Sequence, residues 1–143
     1  MTAPSPNNLL ALDVGTKRIG VALASSIARM PHPLMTLDAD AEDLLTQLAA
    51  IIKAEDVGLL VVGLPRGLEG QETAQTTLVR DFAASLAQFQ LPVAFQDEAL
   101  TSRKAEAELE ARGRPYAKGD IDALAATYIL EDYLLNQPET RTT

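Results

Sequence analysis

The sequence predicts an α/β fold: a mixed five-stranded sheet, made of a three-strand meander followed by α-β-α-β, with helices on both faces. Three observations predict it. Two apolar runs near the start flank a tight glycine-containing turn. The second half alternates continuous apolar runs with helical periodicity. No linker, repeat or low-complexity tract interrupts residues 9–136, which read as one domain between loose ends at 1–8 and 137–143.

Leu9–Val14 and Ile19–Ser25 are apolar runs joined by Gly15-Thr16-Lys17-Arg18, a hairpin signature. Leu34–Leu37 is a short third strand after Pro31-His32-Pro33. A helix over Ala41–Ala54 places Leu44, Leu45, Leu48, Ile51 and Ile52 on one stripe. Val57–Gly63 is apolar throughout, as in a strand covered on both faces. The turn-rich loop Gly63–Gly70 leads to a helix from Thr73 to Phe89 that buries Leu78, Phe82, Leu86 and Phe89. Pro92–Gln96 is the fifth strand. A short helix capped by Thr101 or Ser102 stops at Gly113, and the last helix runs from near Asp120 to Asn136. Three meandering strands extended by helical crossovers follow the order of the ribonuclease H-like fold.

Composition narrows the class. The chain has 143 residues, 47% of them apolar, yet no uncharged run approaches the roughly 20 residues of a membrane span. Met1–Asn8 carries no basic residue and does not resemble a signal peptide. Cysteine is absent, which excludes disulfides and thiolate metal sites. The expectation is a cytoplasmic protein. A net charge of −8 opposes phosphate binding by a uniform surface, but the charge is unevenly spread. Asp38, Asp40, Glu42, Asp43, Glu55 and Asp56 surround one helix. Lys17, Arg18, Arg66, Arg103, Lys104, Arg112, Arg114 and Lys118 lie near glycine-rich turns and helix starts.

Asp13 ends the first apolar run, where an unpaired charge is costly to bury. Asp97-Glu98 ends the fifth strand, at the edge where α/β sheets place their sites. Asp122 shares a helical stripe with Ala125, Ala126, Ile129 and Tyr133, so it faces inward near the first turn, and the small alanines permit close packing on the sheet. Three acids meeting without a cation would repel, and one would be protonated. Mg²⁺ or Mn²⁺ relieves this, and a pair of ions about 3.5–4 Å apart serves phosphodiester hydrolysis. Asp13, Glu98 and Asp122 are then the catalytic metal ligands, and no histidine or serine nucleophile is needed.

Each residue has a plainer reading taken alone. Asp13 can close a turn on backbone amides, Glu98 and Asp97 can be solvated loop acids, and Asp122 can complement the helix dipole. Together they favour metal binding, while Asp120 suits an N-cap. His32, between two prolines, suits a surface or packing role. Lys17, Arg18, Arg66, Arg103, Lys104 and Lys118 are candidates for nucleic-acid contacts. For Lys17 and Arg18 a solvated hairpin tip is an equal alternative, and the Gly63–Gly70 loop is either a phosphate cradle or a plain strand-to-helix turn.

These segments together resemble the YqgF/RuvX family of RuvC-related, ribonuclease H-like nucleases. The matching pieces are Leu12–Ala22, Val61–Pro65 with Gly70, Val79-Arg80 with Phe82-Ala83, Asp97-Glu98 with Leu100-Thr101-Ser102, and Lys118-Gly119 with Asp122, Ala125-Ala126 and Ile129-Leu130. The resemblance implies a bacterial cytoplasmic nuclease that matures the 5′ end of pre-16S ribosomal RNA, with its acidic site at Asp13, Glu98 and Asp122. Likeness to RuvC implies the alternative of a Holliday junction resolvase, whose paired cuts need a two-fold dimer. Monomer and homodimer both stay open. Ala99 departs from the family's usual arginine after the acidic pair, and the loop Arg66–Gly70 departs from its asparagine- and methionine-containing version. Two further readings remain. Asp13-Val14-Gly15-Thr16 also resembles the phosphate-binding turn of the actin and sugar-kinase group, which implies nucleotide binding, and Ala99 is compatible with a catalytically idle RNA-binding module.

Overall fold

The computed structural model describes residues 7–98, 107–113 and 118–136. Its strands are β1 (Asn8–Val14), β2 (Arg18–Ser25), β3 (His32–Asp38), β4 (Val57–Pro65) and β5 (Val93–Glu98). The helices are α1 (Leu44–Ala54), α2 (Ala74–Ser85) with a 3₁₀ extension at Leu86–Phe89, and α3 (Lys118–Asn136). Residues 107–111 are also helical. The five strands lie in the order β3-β2-β1-β4-β5. β1, β2 and β3 pair antiparallel, whereas β4 and β5 add in parallel. This is the predicted mixed sheet.

Side-chain alternation divides the core into two layers. Leu10, Leu12, Ile19, Val21, Leu60 and Val62 face α1 and α2, which contribute Leu44, Leu48, Ile51, Val79 and Leu86. On the opposite face the sheet presents smaller side chains, Ala11, Ala22, Ala24 and Val61, against Ala126, Ile129 and Leu130 of α3. Small residues on both partners let α3 lie close to the strands. Two hydrogen bonds fix its ends. Thr36 Oγ1 donates to the Gly119 carbonyl at 2.6 Å, and Arg29 Nη2 donates to the Leu134 carbonyl at 2.7 Å.

Several boundaries differ from expectation, each for a local reason. Asn8 already belongs to β1, because its side chain donates to the Glu55 carbonyl at 2.6 Å and its amide to Asp56. β3 begins at His32 and includes Pro33. It is an edge strand with a register shift beside Ala22, and both features tolerate a missing amide donor. His32 is exposed there. α1 begins three residues later than predicted, since Asp38 Oδ1 accepts from the Asp40 amide and holds the preceding residues in turns. α2 stops at Ser85 and tightens into the 3₁₀ turn, which keeps Leu86 buried before Gln90 reverses the chain at φ 58°. The predicted caps Thr101 and Ser102 lie outside the described residues, as do 1–6 and 137–143. No described helix is long and apolar enough to cross a membrane.

Candidate active site

The site begins as one row of residues across the sheet. Thr36 pairs with Gly20, Gly20 with Asp13, and Gly63 with Gln96. Because Leu12 pairs with Val62, Asp13 and Gly63 are neighbours on the same face. Asp13 therefore lies between two glycines, on the face that α3 covers. A Cβ at Gly20 would sit 1.9 Å from the Asp122 carbonyl oxygen, so the first turns of α3 rest directly on the backbone of β2. A Cβ at Gly63 would lie 2.4 Å from Ile129 Cδ1 and 2.8 Å from Glu98 Oε1, so the Glu98 carboxylate occupies the space that a side chain would take. Glycine inside a strand weakens it but allows this close approach.

The two glycines thus draw Glu98 and Asp122 toward Asp13 from opposite sides. The electrostatics reflect this arrangement. Asp13 is pushed up from 3.8 to about 8, first by burial, then by the negative charges of Glu98 and Asp122. Its carboxylate has no hydrogen-bond donor and no ion-pair partner among the described residues. Asp122 differs: Arg18 Nε donates to its Oδ2 at 2.6 Å. Among the described residues no three acids or histidines stand around one point at coordination distance. The acids are gathered on one face, and Asp122 is turned toward Arg18.

The basic candidates divide. Arg18 is committed to Asp122. Lys17 is exposed at the hairpin tip next to the row. Arg66 bonds Asp97 Oδ1 at 3.1 Å and also faces Glu72 at 3.6 Å. It therefore steadies the end of β5 through Asp97, the neighbour of Glu98. Arg112 pairs with Glu108 at 2.6 Å. Arg103, Lys104 and Arg114 lie outside the described residues, as does Ala99. Lys118 opens α3, though its side chain is also outside them. Residue patterns missed the Gly20 and Gly63 contacts and the partnership of Arg18 with Asp122.

The sequence profile of the RuvX family, described as Holliday junction resolvase, matches residues 7–136. The chain belongs to the RuvX family. A Methylobacillus flagellatus protein named "Putative pre-16S rRNA nuclease" is 41% identical over 135 residues, covering 92% of each chain. A Chloroflexus aurantiacus protein of the same name is 41% identical over 130 residues, covering 88% of this chain and 85% of that one. Among solved structures, Thermus thermophilus RuvC in complex with a Holliday junction substrate aligns with a TM-score of 0.58 at 13% identity, over 90% of this chain and 95% of that chain. This likeness shows the ribonuclease H-like fold. Membership places the chain among nucleases.

Proposed function

We propose that the chain is a divalent-metal-dependent nuclease, held in the cytoplasm, that trims the 5′ end of pre-16S ribosomal RNA. One observation carries the reading: Asp13, a partly buried acid with no hydrogen-bond or ion-pair partner among the described residues, lies between two further acids on one sheet face. A fold holding an acid at about 8 in this way either keeps it neutral or supplies a cation. The donors are all carboxylate oxygens, the hard ligands that suit Mg²⁺ or Mn²⁺. Asp13, Glu98 and Asp122 would hold the ions. Bound there, the metal supplies an activated water and charge stabilisation for the leaving oxygen of a phosphodiester.

The chain's own residues do the rest. Asp13 gives up its proton when a cation replaces the missing counter-charge. Gly20 and Gly63 keep the acids close by offering no side chain of their own. Lys17, exposed beside the row, reaches toward a backbone phosphate of the substrate, and Arg66 keeps the β5 end in place through Asp97. The relatives' name points to a ribosomal RNA precursor, whereas the family's description favours a second reading, cleavage of four-way DNA junctions.

The deciding experiment incubates wild-type protein, Asp13→Asn and Asp122→Asn with pre-16S RNA and with a synthetic junction, with and without Mn²⁺. Metal-dependent RNA cleavage by the wild type alone supports the proposal. Full activity in either variant removes the mechanism. Symmetric junction cutting without RNA cleavage reverses the choice of substrate.

A further inference from the structure

We propose that Arg18 is an exchangeable counter-ion: it neutralises Asp122 in the metal-free protein, leaves it when a divalent cation binds, and then contacts a phosphate of the substrate. This rests on the metal reading above and assigns a counter-ion and substrate-contacting role to a residue outside the acidic set.

Arg18 is the first residue of β2, two positions before Gly20, and so projects onto the same sheet face. α3 lies against Gly20 through the Asp122 backbone, which brings the carboxylate beside the guanidinium. The contact uses Nε alone, at 2.6 Å from Oδ2. The two terminal amino groups have no hydrogen bond among the described residues, although Arg–carboxylate pairs often bond in parallel through two nitrogens. That end remains able to hold an oxyanion.

Exposure indicates which partner moves. The Arg18 side chain is 40% exposed and that of Asp122 only 19%, so Arg18 can swing out while Asp122 stays on its helix. While Arg18 holds Oδ2, the three acids do not converge on a point. Arg18 therefore competes with the metal for one ligand, and it adds a positive charge near the cation's position. Exchange removes both obstacles. A substrate phosphate arriving with the cation offers the guanidinium a new anion that matches its planar fork.

The prediction has opposite signs in two readouts. In calorimetric titration with Mn²⁺, Arg18→Gln binds about tenfold tighter than wild type, the factor expected if only about one molecule in ten is free of the ion pair at equilibrium. At saturating Mn²⁺ the same variant cleaves RNA more slowly, mainly through a raised KM. Arg18→Lys keeps a charge without the fixed fork and falls between the two in both readouts, which also covers a folding failure of Arg18→Gln. Unchanged or weaker Mn²⁺ binding in folded variants overturns the exchange, and so does undiminished cleavage. Loss of the underlying metal reading has a different pattern: wild type that binds no Mn²⁺, or Asp122→Asn that binds it as tightly as wild type, removes the exchange along with it.

Discussion

Replacing Asp13 with asparagine separates the electrostatic strain of the site from its chemistry. In the metal-free fold this carboxyl is pushed from 3.8 to about 8, so the folded chain holds the proton more tightly than the unfolded one. For this group stability is greatest below about pH 4 and is lost as pH rises toward and through 8. That interval, at about 1.4 kcal/mol per pH unit, sets a ceiling of about 6 kcal/mol. Water entry and side-chain rearrangement relieve part of it, leaving about 2–3 kcal/mol. Asparagine matches the neutral acid in shape and does not titrate. In EDTA the two proteins should melt together below about pH 4, and at pH 8.5 Asp13→Asn should melt about 6–9 °C higher. Saturating Mn²⁺ should close the gap by stabilising the wild type, by about 2.7 kcal/mol at a hundredfold excess over Kd, and reverse the order at a thousandfold excess, where the gain is about 4.1 kcal/mol. Circular dichroism melts across pH with both additives test this. Melting curves for the two proteins that stay parallel at every pH in EDTA would refute the burial and repulsion assigned to Asp13.

The other substitutions probe how the helix is seated. Gly20→Ala meets fixed backbone at Asp122 and should lose about 3 kcal/mol or more in urea unfolding. Gly63→Ala meets the ends of Ile129 and Glu98, which can move, so it should lose only about 1–2 kcal/mol while cleavage falls much further. A larger stability loss for Gly63→Ala than for Gly20→Ala would contradict the contacts described. Thr36→Val removes the bond to the Gly119 carbonyl and should lower stability by about 1 kcal/mol, with faster amide exchange confined to the start of α3.

Much of this architecture was legible in the sequence because each part left a local pattern. Apolar runs joined by a tight glycine-containing turn marked β1 and β2, a continuous apolar run marked β4, and the stripe through Asp122, Ala125, Ala126 and Ile129 correctly turned that helix face inward. Charge at strand ends and on an apolar stripe is unusual, which singled out Asp13, Glu98 and Asp122, and the fold brings the charges of Glu98 and Asp122 to bear on Asp13. Arg18 and Asp122 are distant in sequence, and nothing local in either segment encodes their pairing. Gly20 and Gly63 did leave a signal: a glycine inside an apolar strand commonly marks close approach of other atoms. The late start of α1 and the 3₁₀ end of α2 depend on competing turn bonds, which periodicity does not register.

The seating of α3 on Gly20 also bears on redesign. The spacing between sheet and helix is set there by the lack of a side chain, so neither surface can be altered alone. A broader residue on the second strand lifts the helix and carries Asp122 away from its neighbours. Lengthening Asp122 to glutamate likewise alters a separation that was fixed far away in the sequence. Engineering this centre therefore means moving strand and helix positions as a coupled set, and loop grafting will leave its dimensions unchanged.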